Sequence, residues 1–138
     1  MLIDKPIKEQ AREFIKSLLD RHEEFKLKWL QNNNNTLFDW NKLLEEMRDK
    51  RTDINSEFIS EKNDIKNRKA TRWAELRLET TEAGKKKNTE NWIEDILLVE
   101  FRDDDIKLEI QKTTIELLTN KIECIPEYIN LVKKALPN

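Results

Sequence analysis

The sequence predicts an all-α fold, and three observations lead to that prediction. The 138 residues include one glycine and three prolines, whereas charged residues make up 39%. Glycine reaches left-handed backbone angles at low cost, so a chain with a single glycine forms few of the tight turns that a compact β or α/β domain needs. Apolar residues recur three or four positions apart, which is the spacing of one helix face. We expect a single helical domain, residues 1–138, with narrow apolar stripes on long helices.

The first predicted helix begins near Pro6 and ends in the asparagine run 32–35. Proline fits the first turn of a helix because its missing N–H has no helical partner there, and asparagine tolerates turn angles. An apolar stripe at spacings of three and four joins the two ends: Ile7, Ala11, Phe14, Leu18, His22, Phe25 and Trp29. This spacing predicts one continuous helix.

The second predicted helix is unusually long. Thr36 with Asp39 three residues later resembles a capping box, and no proline or glycine occurs from residue 37 to residue 83. At ~1.5 Å per residue such a helix is roughly 70 Å long, too long to bury its stripe within a small globule. Its stripe, a candidate core or oligomer contact, consists of Trp40, Leu44, Met47, Ile54, Phe58, Ile65 and Leu76. We therefore expect a long helical hairpin or coiled coil that is oligomeric.

Two further helices are predicted after Gly84, which is suited to cap the long helix. Thr89 begins a short third helix. Three acidic residues, 103–105, mark the start of a fourth helix because negative charge stabilises the positive end of a helix dipole. Pro126 is expected to kink or split that helix, since proline removes a helical hydrogen bond.

Catalytic and metal-binding patterns are weak in this sequence. His22 is the only histidine and Cys124 the only cysteine. His22 falls within the apolar stripe and is expected to be a packing residue; Cys124, beside two isoleucines, is expected to be a small buried hydrophobe. The run 103–105 lacks the alternating ligands and the glycine of a calcium loop. We expect no enzymatic activity, no metal and no cofactor.

The same composition indicates a cellular compartment. A lone cysteine cannot form an intramolecular disulfide, which favours a reducing environment. No apolar run approaches the ~18 residues of a membrane-spanning helix, and residues 1–10 lack a signal-peptide core. We expect a soluble cytoplasmic protein without membrane contact.

Charge is distributed unevenly around the single glycine. Residues 62–77, the basic segment, hold six cations and two acids, for a net charge of +4. Residues 90–109, the acidic segment, hold eight acids and two cations, for a net charge of −6. The whole chain carries only −2. This asymmetry is the main electrostatic feature of the sequence.

Cations along one side of a helix, beside an aromatic ring on which a base can stack, are typical of single-strand binding. Lys62, Lys66, Lys69 and Arg72 follow that spacing, and three lysines continue the track after Gly84. The candidate nucleic-acid-binding residues are Lys62, Lys66, Arg68, Lys69, Arg72, Trp73, Arg77, Lys85, Lys86 and Lys87. Alternatively, the acidic segment folds back and neutralises the basic segment. The sequence leaves both possibilities open.

The layout of the chain resembles the bacteriophage recombination mediators of the UvsY type. The resemblance is carried by residues 68–78 (RKATRWAELRL), by Gly84 and by the stretch 89–136. It implies a small helical oligomer that binds single-stranded DNA. It also implies a role in loading a recombinase onto strands covered by single-strand-binding protein, with a DNA-binding cation at Arg77.

Two functions follow as hypotheses. In the first, subunits assemble through their stripes and place basic segments side by side, so that many weak phosphate contacts add up. In the second, the chain is a coiled-coil scaffold, assembly protein or chaperone-like adaptor without a nucleic-acid role, and its charged segments set register and partner choice.

Overall fold

The structure, a computed structural model, describes residues 6–31, 36–82 and 89–135, and every element in those ranges is an α-helix. In chain order the helices are α1 (Ile7–Phe14), α2 (Lys16–Leu30), α3 (Leu37–Glu82), α4 (Thr89–Glu100) and α5 (Arg102–Ala135). The predicted all-α class is confirmed. Within these ranges no helix is both long enough and apolar enough to cross a membrane.

The prediction of a single first helix is wrong. Helix α1 stops at Phe14, and Ile15 leaves helical geometry with φ −122° and ψ 18°. The Ile15 N–H donates to the carbonyl oxygen of Arg12 at 3.2 Å, a tighter turn than an α-helix makes. The break redirects the chain, so that α1 packs against α5 whereas α2 packs against α3. Because Ile15 itself is buried, tertiary packing favours the break over a straight helix.

Helix α3 has almost the predicted bounds and the predicted N-terminal cap, whereas Gly84, predicted to cap its other end, lies outside the described residues. The Asp39 N–H donates to the Thr36 hydroxyl oxygen at 3.2 Å, and that hydroxyl lies 3.0 Å from an Asp39 carboxylate oxygen. The Asp39 N–H also donates to the Thr36 carbonyl oxygen at 3.1 Å, so the hydroxyl gives this first-turn donor a second acceptor. The 46 residues of α3 reach about 70 Å. Its buried stripe residues are Trp40, Leu44, Met47, Ile54, Ile65 and Leu76, and Phe58 is half-buried.

Helices α4 and α5 follow each other almost without interruption. Phe101 is the single turn residue between them, and its N–H and carbonyl keep helical hydrogen bonds to Leu97 and Asp105, both at 2.9 Å. The acidic run 103–105 occupies the first turn of α5, as predicted. Helix α5 is not split at Pro126, contrary to one form of the prediction. Pro126 is exposed. The burial of Ile125 and Ile129 beside it stabilises the helix despite the hydrogen bond that proline removes.

Two regions of different construction result. At one end, α1 and α2 complete a helical bundle with the first half of α3 and the second half of α5. Its core contains Ile15, Leu18, Trp40, Leu43, Leu44, Met47, Ile54, Leu118, Ile122, Ile125, Ile129 and Val132. At the other end, residues 58–82 pair with residues 89–110 in a two-helix hairpin, here called the arm. Its buried apolar residues are Ile65, Leu76, Ile93, Phe101 and Ile110.

Cys124 is exposed, so the prediction of a buried cysteine is wrong. The buried stripe of α5 passes through Ile122, Ile125 and Ile129. A helix turns about 100° per residue, which places Cys124 roughly 200° from Ile122 and therefore on the solvent side. Proximity in sequence to two isoleucines does not imply a shared face.

His22 is buried, as its place in the stripe predicts, and is 1% exposed. Its ring meets Trp40 and Tyr128 edge to face, with centroids 6.0 and 5.6 Å away, and those two rings stack on each other at 5.1 Å. Among the described residues neither ring nitrogen of His22 has a hydrogen-bond partner, and Nδ1 lies 3.8 Å from a carboxylate oxygen of Glu23. Burial lowers the pKa of His22 below its ordinary 6.5, and the positive charge of Lys121 lowers that pKa further.

Candidate interaction surface of the helical arm

The cations of the basic segment meet acids of the acidic segment across the arm. Arg72 of α3 donates from Nε and Nη2 to the two carboxylate oxygens of Glu100 on α4, at 2.9 and 3.0 Å. Its Nη1 donates to Glu75 one turn along α3, at 3.2 Å. A guanidinium that engages both oxygens of one carboxylate fixes its orientation as well as its distance. Arg72 is therefore committed to acids of its own chain.

Two neighbouring cations of α3, Arg68 and Lys69, pair in the same way with acids of α5. Lys69 Nζ donates to Asp105 at 2.8 Å, and Arg68 reaches Asp104 at 3.3 Å as well as Asp64 of its own helix at 3.0 Å. Both cations also lie over the ring of the buried Phe101, at 5.5 Å for the Arg68 guanidinium and 5.8 Å for the Lys69 ammonium. A cation within about 6 Å of a ring is attracted to its negative face. Phe101 thus supports the cations that bridge the helices.

Polar contacts nearer the core continue this antiparallel pairing. In the first of them the acid lies on α3 and the cation on α5. Glu61 of α3 accepts from Lys107 of α5 at 2.8 Å. Further along, Arg51 donates to the Thr119 hydroxyl at 3.4 Å. Partners on α5 move toward its C-terminus as those on α3 move toward its N-terminus. Arg51 and Lys69, which interrupt the apolar stripe of α3, therefore contact matching polar groups on α5.

The ion pairs hold their partners in the charged form. The hydrogen bonds that Arg72 donates to Glu100, and then to Glu75, raise the pKa of Arg72, and those that Arg68 donates to Asp104, and then to Asp64, raise the pKa of Arg68. In return, the Arg72 hydrogen bonds lower the pKa of Glu100. Acid–base chemistry near neutral pH needs a group that gains and loses a proton there. These groups remain ionised, which suits pairing rather than catalysis.

The remaining predicted binding residues are placed differently. Lys62 and Lys66 are exposed; Lys62 lies 5.8 Å from the centroid of the Phe58 ring, and Lys66 has no acidic partner within the described ranges. Trp73 is half-buried and Arg77 is exposed. Lys85, Lys86 and Lys87 lie outside the described residues. The seven described candidates thus do not form one uniform basic track.

An open depression on the arm mixes charges of both signs. It measures about 460 Å³ and lies along the facing sides of α3, α4 and α5. Arg68 and Arg72 line it together with Glu75, Glu100 and Asp104. A phosphate chain binds where positive charge is in excess. Here three acids face two cations, so the depression does not favour a polyanion.

Apolar side chains lie on the outside of the arm. Leu78 on α3 is 65% exposed, and the adjacent Leu98 and Val99 on α4 are 64% and 77% exposed. A single exposed leucine is ordinary in a soluble protein. With Ile59, which is 51% exposed, the arm carries four exposed aliphatic residues, and exposed apolar surface of this kind is where helical proteins associate.

The sequence identified the cations and, as one of two alternatives, the acidic segment as their partner, but it did not identify the individual pairs. Glu61, Glu100, Asp104, Asp105 and Lys107 complete the pairs, and four of the five fall within the acidic segment. The opposite net charges of the two segments were the available signal. That signal does not reveal whether the segments pair within one chain or between subunits.

Groups suited to metal binding are missing from the described part of the chain, where no three His, Cys, Asp or Glu residues come together in a way that could hold an ion. His22 is enclosed by aromatic rings, whereas Cys124 is exposed. Comparison of the sequence and structure with protein-family models, curated proteins and solved structures finds no significant match.

Proposed function

We propose that this chain is a helical assembly protein whose arm associates with the arm of a second copy. The observation that carries the proposal is the exposure of Leu78, Leu98 and Val99 on an arm whose central cations are already paired. Burial of aliphatic surface is the main driving force of association between helical proteins. Two paired helices bury less apolar surface than a bundle does. A partner that covers the exposed aliphatic residues would therefore stabilise the arm.

The charge pairing supports this proposal over autonomous strand binding. Three acids of α4 and α5 offset three of the six cations in the basic segment, which reduces its net charge from +4 to +1. Phosphate binding by Arg68, Lys69 or Arg72 requires that each first leave a carboxylate. Counterion release, the source of most non-specific affinity for DNA, is correspondingly weaker.

Light scattering on matched variants tests the proposal. Leu98→Gln with Val99→Gln makes the arm surface polar without changing its charge, and glutamine is a good helix former. Leu27→Gln with Leu30→Gln makes the same change on α2, where both leucines are also exposed. We expect the first pair of changes to lower the molar mass and the second to leave it unchanged. If the Leu98→Gln/Val99→Gln variant keeps the wild-type molar mass, the proposal is wrong.

A single-stranded-DNA mediator of the UvsY type is the second candidate function. Its support is the exposure of Lys62 and Lys66, which lie one helical turn apart and have no acidic partner among the described residues. Assembly through the arm would bring such weak cation pairs together and add their phosphate contacts. A recombinase or a single-strand-binding protein would then be its partner, by resemblance.

A further inference from the structure

A small pocket lies where the bundle ends and the arm begins. It measures about 290 Å³ and lies between α1, α3 and α5. Phe14 of α1, Ile54 of α3 and Ile110 of α5 provide apolar walls from three different helices. Pockets for small molecules start at about 300 Å³ and are mostly apolar, with a few placed polar groups. The pocket has room for a molecule of one substituted ring or two fused rings.

Gln111 provides an unsatisfied polar group at this pocket. Gln111 lines the pocket and is 8% exposed, and its carbonyl oxygen Oε1 is buried with no hydrogen-bond donor among the described residues. Buried acceptors in folded proteins nearly always have a donor. The neighbouring Thr114 hydroxyl already donates to the Ile110 carbonyl, at 2.7 Å. Thr114 is therefore not the donor that Gln111 Oε1 lacks.

Phe14 indicates the shape of molecule that fits this pocket. It is the last residue of α1, immediately before the break at Ile15, and its ring is 64% exposed at the pocket wall. An exposed phenylalanine beside an apolar cavity gains from being covered, and aromatic rings pack well in offset or edge-to-face contact. A planar ring is the shape that such a wall accepts.

The rim limits the charge of the ligand. Lys50 and Lys107 face Glu57 and Glu61 around the opening, and Lys107 and Glu61 are paired at 2.8 Å. Two cations and two acids leave no net charge at the rim. The pocket therefore selects neither an anion nor a cation, and a neutral molecule enters at the lowest desolvation cost.

We infer that the pocket binds a small neutral aromatic molecule that carries one N–H or O–H donor, of which indole and phenol are the simplest examples. The donor pairs with Gln111 Oε1 while the ring packs between Phe14 and the isoleucine walls. This binding site is independent of the arm surface proposed for assembly, so either proposal can fail without the other.

Titration of the ¹⁵N-labelled full chain, followed by amide chemical shifts, tests the inference with indole and indene as probes. Indene has the same shape but carries a CH₂ group in place of the N–H donor. We expect indole to shift the Gln111 side-chain amide and the backbone amides of Phe14 and Ile54, and to bind about tenfold more tightly than indene. Equal affinity for the two probes, or no shift at these residues with millimolar indole, overturns the inference.

Variants separate the hydrogen bond from the cavity. Gln111→Leu removes the acceptor but keeps an apolar side chain of similar size, so indole and indene should then bind equally well. Lys112→Ala, at the adjacent exposed position, should retain the wild-type preference for indole. Far-UV circular dichroism checks that both variants fold, and the comparison of probes on the wild type stands whether or not Gln111→Leu folds. A preference for indole that survives in folded Gln111→Leu overturns the role of Gln111.

Discussion

Arg72 of α3 donates two parallel hydrogen bonds to Glu100 of α4, at 2.9 and 3.0 Å, and so joins the two helices of the arm beyond the reach of the bundle core. With Lys69–Asp105 and Arg68–Asp104 it forms a ladder of ion pairs that runs antiparallel between the segments. The ladder accounts for the charge asymmetry of the sequence within one chain. It also engages Arg68, Lys69 and Arg72 within the chain, whereas Leu78, Leu98 and Val99 stay exposed on the arm.

Charge exchange at this pair tests the ladder. Arg72→Glu and Glu100→Arg should each lower the urea midpoint of unfolding, because each places like charges across the arm. The double variant should recover part of the loss, since it restores an opposite pair. Far-UV circular dichroism during urea unfolding measures all four proteins. The recovery should shrink in high salt, where exposed pairs are screened. If the double variant loses as much stability as the two single variants lose together, the pairing is contradicted.

Single-strand binding is tested at Lys62 and Lys66, two exposed cations of the basic segment that are not part of the ladder. Under the mediator hypothesis, Lys62→Ala with Lys66→Ala should weaken binding of a labelled single-stranded oligonucleotide and reduce the salt slope by roughly two. Lys42→Ala with Lys50→Ala removes the same charge from exposed positions elsewhere on α3 and serves as the control. Fluorescence anisotropy at several salt concentrations provides both quantities. Identical curves for the two double variants would remove the second candidate function.

Much of the fold follows from local sequence. The long uninterrupted stretch before Gly84 and the Thr36–Asp39 pair determine the extent and the start of α3, because capping and helix breaking are local effects. The break at Ile15 was not predictable in this way, since apolar spacing continues through it and packing of α1 and α2 on different partners decides it. Pro126 fails as a helix breaker for the same reason: tertiary burial outweighs a local penalty.

The candidate sites depend on tertiary structure to different extents. The cations of the arm were visible as a charge pattern, but their partners depend on how α5 folds back along α3, which no spacing rule specifies. The pocket at Gln111 could not be predicted at all, because its walls come from three helices and from the break that places Phe14. Surface charge is therefore easier to predict from sequence than a cavity.

Stability should depend on pH through His22. Its folded-state pKa lies below 6.5, so in the window between that pKa and 6.5 the unfolded chain binds more protons than the folded one. The stability that the folded protein gains by keeping His22 neutral is fully present above pH 6.5 and is lost as the pH falls through that window. Urea unfolding from about pH 7.5 to about pH 5.5 should show this loss. His22→Phe, which keeps an aromatic ring beside Trp40 and Tyr128, should show a smaller loss; an equal loss would assign it to other groups.

The bundle core should hold most of the stability. Leu118 is fully buried within the core cluster, so Leu118→Ala should lower the free energy of unfolding by about 2–5 kcal/mol. Leu131 lies on the same helix and is 43% exposed, and Leu131→Ala should change that free energy by less than about 0.5 kcal/mol. Urea denaturation at a single pH measures both variants. Similar losses would mean that α5 packs in another register.

The most direct test of assembly through the arm is the molar mass of the wild-type chain by light scattering over a range of concentrations, beside the Leu98→Gln/Val99→Gln and Leu27→Gln/Leu30→Gln variants. We expect a wild-type mass at a multiple of the single-chain value, a lower mass for the arm variant and an unchanged mass for the α2 variant. A wild-type chain that stays monomeric at every concentration, or an arm variant with the wild-type mass, would contradict the account.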